Sequence, residues 1–315
     1  MELSDSTPLL ESLRNNVESV VLGKARQVRL LLASFLAGGH VLLEDLPGTG
    51  KTTLARALAG SISGSFRRIQ FTSDLLPQDI TGVHVFDPES RTFSFAPGPL
   101  FANIVLADEI NRGNPRAQSA LLEAMSERQV TADRETFPLP DPFLVVATQN
   151  PFEHHGTYPL PESQLDRFNV RLRLSYPDAE TEMRLIREQS LSVPAASAPP
   201  VLSPSAVREL KALCASVALS PPVLSYLHAV VEGTRAHPSV RLGASTRGAI
   251  GLKGTAQGLA LLSGRPFVSP GDVKEAAVAA LAHRVFLSGS QGHGEETAAA
   301  EAVVSEVLDS LTAPE

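Results

Sequence analysis

The run Pro47-Gly48-Thr49-Gly50-Lys51-Thr52 constrains the fold more than any other part of the chain. It follows the apolar segment His40-Val-Leu-Leu-Glu44, read as a strand, and opens Thr52–Ala59, read as a helix. Glycines at such a turn let backbone N–H groups point at a phosphate chain, and the helix start adds positive potential there. Lys51 is suited to reach the β and γ phosphates, and the Thr52 hydroxyl to ligate Mg2+. The general pattern has glycine at its first position, where this chain has Asp45; the remaining Gly-x-Gly-Lys-Thr is intact.

The segments around this loop alternate in type. Phe66–Phe71, Ile104–Ala107, Phe143–Ala147 and Val170–Leu174 read as strands, and the second and third of these are continuously apolar. Leu9–Val20, Val28–Ala37 and Arg116–Glu127 carry apolar residues at helical spacing. Buried strands alternating with helices indicate an α/β fold with a parallel sheet covered on both faces. From Asp178 onward the strand pattern fades and Ala and Leu dominate. Residues 190–204 contain four prolines and four serines and read as a linker. Helices are expected over Ser205–Ala218, Pro222–Ala236, Thr246–Ser263 and Pro270–Val285, the last begun by the Ser269-Pro270-Gly271-Asp272 capping pattern. Two domains are therefore expected: an α/β core over 1–177 and a smaller all-helical domain over 178–315.

Two further constellations fall at strand ends. Ile104-Val-Leu-Ala-Asp108-Glu109 ends an apolar strand in two acids. Ligands of open α/β sheets lie beyond the carboxyl ends of the strands, so Asp108 is expected at the Mg2+ site and Glu109 at the attacking water. Ala147-Thr148-Gln149-Asn150 ends the next strand; Asn150 either holds the water or γ-phosphate, or simply begins a turn with Pro151. Arg167, in Leu165-Asp166-Arg167-Phe168, is either a surface ion-pair residue or the cation that such chemistry needs against charge developing on the transferred phosphoryl. Arg112 reads equally as a helix-start surface residue or as a contact to a neighbour's nucleotide.

Together these motifs resemble an AAA+ ATPase. The fuller wording is similar to the MoxR branch: His40-Val-Leu-Leu-Glu-Asp-Leu-Pro-Gly-Thr-Gly-Lys-Thr52, Phe71-Thr-Ser-Asp-Leu-Leu-Pro-Gln-Asp-Ile-Thr-Gly82, and Gln118-Ser-Ala-Leu-Leu-Glu-Ala-Met-Ser-Glu-Arg-Gln-Val-Thr131. The resemblance spans roughly Val20 to Val285. It implies an AAA+ P-loop core with a five-stranded parallel sheet, followed by a helical lid. It also implies ATP and Mg2+ as cofactors. Pro47, Gly48, Thr49, Gly50, Lys51, Thr52 and Thr53 would form Walker A, with Asp108 and Glu109 as Walker B; Thr52 and Asp108 would hold the metal. Asn150 would be sensor 1, and Arg167 an arginine finger acting on a neighbouring subunit's nucleotide. Arg247, in Gly243-Ala-Ser-Thr-Arg247, would be sensor 2, reaching the γ-phosphate from the lid; Thr246 stands where proline is frequent. Val21-Leu22-Gly23 would line the adenine pocket. Two alternating segments, about 82–95 and 129–137, read as hairpins, which in this family project toward the ring pore or the partner.

The function this implies is an ATP-driven motor, a hexameric ring that remodels, assembles or activates partner proteins, often proteins with a von Willebrand factor A domain. The ATPase subunit of a metal chelatase is the alternative. A nucleic-acid motor fits less well, because the net charge is −7, with 27 Lys and Arg against 34 acids and no dense basic tract. A passive nucleotide-binding module fits least, since every hydrolytic residue type is present. His154-His155 has no Cys and no further His at ligand spacing, which argues against zinc. No apolar run reaches the length of a membrane span, the start is polar, and Cys214 is the one cysteine. A cytoplasmic protein is expected.

Overall fold

The computed structural model describes residues 2–44, 48–132, 135–150, 156–187, 199–288 and 293–314. In the first part, helices α1 (Leu3–Val20) and α2 (Ala25–Leu36) precede strand β1 (Val41–Glu44) and helix α3 (Lys51–Ser61). Strand β2 (Phe66–Gln70) and helix α4 (Pro77–Thr81) lead to the strands β3 (Gly82–Asp87), β4 (Thr92–Pro97) and β5 (Ile104–Asp108). Helix α5 (Pro115–Glu127) is followed by β6 (Gln129–Ala132), β7 (Glu135–Pro138), β8 (Leu144–Gln149), α6 (Glu162–Leu165) and β9 (Val170–Leu172).

Five of these strands form one parallel sheet in the order β2-β5-β8-β1-β9. The three central strands are buried along their whole length, which is why they read as continuous apolar runs rather than as alternation. Their side chains still divide by period two. Leu42, Val105 and Val145 pack with α5 on one face, while Leu43, Leu106 and Val146 join the core under α1, α2 and α3 on the other. The carboxyl ends of β1, β5 and β8 lie side by side, and the phosphate loop and both acids emerge there.

The hairpins β3–β4 and β6–β7 are antiparallel. They pack on each other through Phe95 and Phe137, whose rings stack with centroids 4.0 Å apart, and through His84, 4.0 Å from Glu135. The outer face of β3–β4 leaves Phe86 and Phe93 exposed.

The second part comprises α7 (Ala179–Arg187), α8 (Pro204–Ser216), α9 (Pro221–Ala236), β10 (Val240–Leu242), α10 (Thr246–Leu262), α11 (Pro270–Leu281), β11 (Phe286–Leu287) and α12 (His293–Ser310). The capping box that starts α11 is formed: Ser269 and Asp272 bond reciprocally. The part is not purely helical, because β10 and β11 pair as an antiparallel ribbon. Strands of two and three residues leave no periodicity to read. Helix α10 lies antiparallel on α2. A Cβ on Gly258 would sit 2.4 Å from the Ala33 carbonyl oxygen, Gly254 faces Ala37, and Arg29 donates to Ser263 Oγ at 2.9 Å. This contact merges Leu252, Ala256 and Leu259 with Leu31 and Phe35 in one core.

Candidate active site

Gly48 and Gly50 take φ of +81° and +93°, the left-handed region that glycine adopts without strain, and Gly50 caps α3. Lys51, Thr52 and Thr53 form the first turn of α3, so the positive end of the helix lies with these side chains. Pro47 lies outside the described residues. Beside the loop is a cavity of about 460 Å3, bounded by Val21, Leu22, Gly48, Thr53, Tyr176 and Ile186 among others. Its walls are an apolar sandwich open to the phosphate loop at one side, the form a purine base with a phosphate tail would fill. Val21 and Leu22 are in that wall, and Gly23 turns the chain beneath it with φ of +70°. Tyr176 and the α7 side chains Leu185 and Ile186 complete the cavity, and nothing in their sequence spacing marked them. Lys24 closes one edge by donating to the Tyr176 carbonyl at 2.9 Å.

The acid pair is tightly held. Asp108 is buried; its Oδ1 accepts from Thr148 Oγ1 at 2.6 Å and its Oδ2 from Arg68, at 3.1 Å from Nε and 2.5 Å from Nη2. Glu109 adopts φ of +55°, a costly conformation for a non-glycine residue that persists where the surroundings impose it. The surroundings here are Thr148 Oγ1, which accepts from the Glu109 N–H at 2.8 Å, and Gln70, which donates to Glu109 Oε2 at 2.9 Å. Thr148 thus fixes both acids with one hydroxyl. Arg112 Nε is 3.3 Å from Glu109 Oε2, so it pairs with the acid within this chain. Arg68, Gln70 and Thr148 were missed by sequence reasoning; only the polar residues punctuating strands β2 and β8 hint at them. Asn150 is buried at the end of β8 and its carbonyl accepts from Asn111 at 3.2 Å, which holds it beside the acid pair.

The donors suit the expected cofactors. Thr52 and Asp108 are hard oxygen donors of the kind Mg2+ takes, and the Asp108 oxygen paired with Arg68 is already placed against a cation. Among the described residues no cluster of three or more His, Cys, Asp or Glu is arranged to hold a metal by itself. His154 and His155 lie outside the described residues.

Glu44, the last residue of the strand that carries the loop, is also buried. It faces Arg171 at 3.4 Å, which reaches on to Glu301 of α12 at 3.6 Å. Burial lowers the Arg171 pKa from its ordinary value, and the two carboxylates oppose that shift.

Arg167 and Arg247 are elsewhere. Arg167 precedes β9 and so lies at the amino ends of the parallel strands, with Nη1 donating to the Leu122 carbonyl at 2.6 Å. The length of β1, roughly 10 Å at ~3.3 Å per residue, separates that level from the start of the phosphate loop. Arg247 also departs from the expected approach to its own γ-phosphate. It stands in the first turn of α10, with Nη1 3.9 Å from Asp166 Oδ2. Because α10 runs antiparallel to α2, its far end is the one near the cavity beside the phosphate loop. Roughly 25 Å of helix, at 1.5 Å per residue, lies between. The reason is tertiary: the lid docks on the loop before β9, where Ser245 Oγ donates to Asp166 at 2.7 Å and Arg241 pairs with Glu162.

Comparison with known proteins agrees with this geometry. The ATPase family associated with various cellular activities (AAA) matches residues 40–170, and the AAA lid domain matches residues 232–307. The chain is 46% identical over 313 residues to the uncharacterised protein YeaC of Bacillus subtilis, covering 98% of this chain and 96% of that one. It is 39% identical to the chaperone MoxR1 of Mycobacterium tuberculosis, over 95% of this chain and 81% of the relative. A crystal structure of a candidate ATPase from Cytophaga hutchinsonii superposes with a TM-score of 0.86 at 36% identity, covering 100% of both chains. With the loop, the acid pair and the lid in these places, and relatives of this identity along nearly the whole length, the chain belongs to the MoxR family of AAA+ ATPases.

Proposed function

We propose that this chain hydrolyses ATP with Mg2+ as one member of a ring, taken to be a hexamer, and uses the cycle to remodel, assemble or activate partner proteins in the cytoplasm. One observation carries this reading. The nucleotide-binding residues Lys51, Thr52, Asp108 and Glu109 lie at the carboxyl ends of the sheet, whereas Arg167 and Arg247 lie at its amino edge. A chain so divided offers a phosphate site on one side and two arginines on the other, which favours a site completed between copies. In that arrangement Lys51 and the loop N–H groups bind the phosphates. Glu109 orients and polarises the attacking water, with Asn150 beside it. Arg167 from the next copy stabilises the charge developing on the transferred phosphoryl, as does Arg247 from the same edge. Thr52 and Asp108 would hold Mg2+, which supplies charge neutralisation at the β and γ oxygens when bound. Partner contact is assigned to the exposed Phe86 and Phe93 of the first hairpin, a surface suited to a protein such as one with a von Willebrand factor A domain.

The test is complementation. Arg167→Ala lacks the donated arginine and Glu109→Gln lacks the water-orienting acid, so each alone should turn over ATP slowly. Mixed in equal amounts, they should regain a substantial part of wild-type activity, because a Glu109→Gln copy donates its Arg167 to an intact Arg167→Ala site. The specific rate of the wild type should also rise with protein concentration until the ring is formed. A mixture no faster than the average of its components would refute the shared site.

A further inference from the structure

We propose that Arg284, a residue of the lid, is a positioning residue for Arg167: it ties the loop bearing the donated arginine to this chain's own lid. The inference rests on the reading of Arg167 given above. A guanidinium has five N–H donors in a fixed fork, and Arg284 uses all of them. Nε donates to Asp166 Oδ1 at 2.7 Å; Nη2 donates to the Asp166 and Phe168 carbonyls at 2.9 and 2.7 Å; Nη1 donates to the Asn169 carbonyl at 3.2 Å and to that of Ala280. Three backbone carbonyls and one carboxylate of residues 166–169, the residues on both sides of Arg167, are thus committed to one side chain that is 3% exposed. His283 adds a second bond to the Phe168 carbonyl at 2.9 Å.

The lid makes room for this clamp. A Cβ on Gly248 would stand 2.8 Å from Arg284 Cδ, and one on Gly251 would stand 2.5 Å from Asn169 Oδ1. The side chain of Asn169 in turn donates to Thr255 of α10 at 2.9 Å and to Ser34 of α2 at 3.1 Å. The loop is also held by its own turn, in which the Arg167 N–H donates to the Gln164 carbonyl at 3.2 Å, by the Asn169 N–H on the His40 carbonyl at 2.8 Å and by the buried Phe168 ring; the Arg284 bonds are what tie it to the lid. Phosphoryl-transfer sites tolerate little displacement, since ~1 Å of misplacement is enough to cost about 100-fold. Arg284 touches no nucleotide in this scheme. It acts through Arg167, and therefore on the neighbour's site rather than on its own.

Arg284→Lys tests this, because lysine keeps the charge beside Asp166 but cannot hold five acceptors in one plane. The expected result is a roughly 10-fold lower kcat with KM for ATP and the affinity for a fluorescent ADP within twofold of wild type. Mixing with Glu109→Gln should restore activity, as for Arg167→Ala, and the Arg284→Lys loss should disappear in an Arg167→Ala background. A merely structural role would instead damage the variant's own site: mixing would not rescue it, and the loss would multiply with that of Arg167→Ala. Either result overturns the proposal. Asp166→Asn, which keeps shape and removes the carboxylate charge, gives a second reading should Arg284→Lys not fold; unchanged turnover in that variant would also overturn it. If Arg167→Ala alone hydrolyses ATP at the wild-type rate, it is the assignment of Arg167 that fails, and the two failures are distinguishable.

Discussion

Thr148→Val isolates a hinge point of the site, because the two side chains have nearly the same shape. The wild-type hydroxyl donates to Asp108 Oδ1 at 2.6 Å and accepts from the Glu109 N–H at 2.8 Å, and Thr148 is 1% exposed. A hydrogen bond to a charged group contributes about 1.5–3 kcal/mol, and an amide left without its partner costs about 1–3 kcal/mol. The added buried methyl returns up to about 1 kcal/mol. With that methyl credited in full, the net loss is about 1.5–5 kcal/mol, equivalent to roughly 3–20 °C in Tm at about 2–4 °C per kcal/mol. Turnover should fall about 100-fold, since both acids lose the group that aims them. Circular dichroism melts without nucleotide and a coupled ATPase assay measure the two effects. Thr148→Ser, which keeps the hydroxyl, should retain most of the activity. A Thr148→Val protein that melts within about 2 °C of wild type and turns over normally would refute the argument that one hydroxyl fixes both acids.

Glu109→Gln should bind nucleotide as wild type does while turnover falls by ~10²–10⁴; normal hydrolysis would remove Glu109 from its role. Gly258→Ala should lower stability by about 1–3 kcal/mol through overpacking against the Ala33 carbonyl, despite the better helix propensity of alanine, and a urea melt with an unchanged midpoint would contradict this. His40 is buried, bonds the Met125 carbonyl through Nε2 and accepts from the Val145 N–H through Nδ1, and burial lowers its pKa to about 4. The unfolded chain, with its histidine pKa near 6.5, therefore binds more protons between these values. Stability is fully present above pH ~6.5 and is lost as pH falls toward 4, by up to about 3 kcal/mol from His40 alone. His283 shifts in the same direction, again by burial. Urea midpoints at pH 7 and 5 for wild type and His40→Asn check this; an unchanged pH dependence in the variant would exclude His40 as a source.

What could be read along the chain was local. The phosphate loop, Asp108-Glu109 and the box at Ser269 each depend on residues within one turn or one strand end, so their chemistry is written in consecutive letters. Arg68, Gln70 and Thr148 could not be found that way, because they meet the acids across β2, β5 and β8, strands adjacent in space but far apart in sequence. The cavity wall from α7 escaped for the same reason. Arg247 shows the limit most sharply. Its motif is legible, yet its direction depends on how α10 docks against α2 and on the buried Arg284–Asp166 pair, neither of which any local pattern encodes. The ribbon of β10 and β11 is too short to carry a period.

The close seating of Gly258 on the Ala33 backbone has a mechanical consequence. Where Gly258 meets the Ala33 backbone and Gly254 the Ala37 methyl, the helices cannot slide without opening a void or colliding, so α2 and α10 behave as one strut running from the sheet into the lid. Compliance belongs instead to α7, none of whose residues is buried, at the rim of the cavity beside the phosphate loop. A displacement of α7 is therefore met by a frame in which α2 and the lid helix α10 keep their mutual seating.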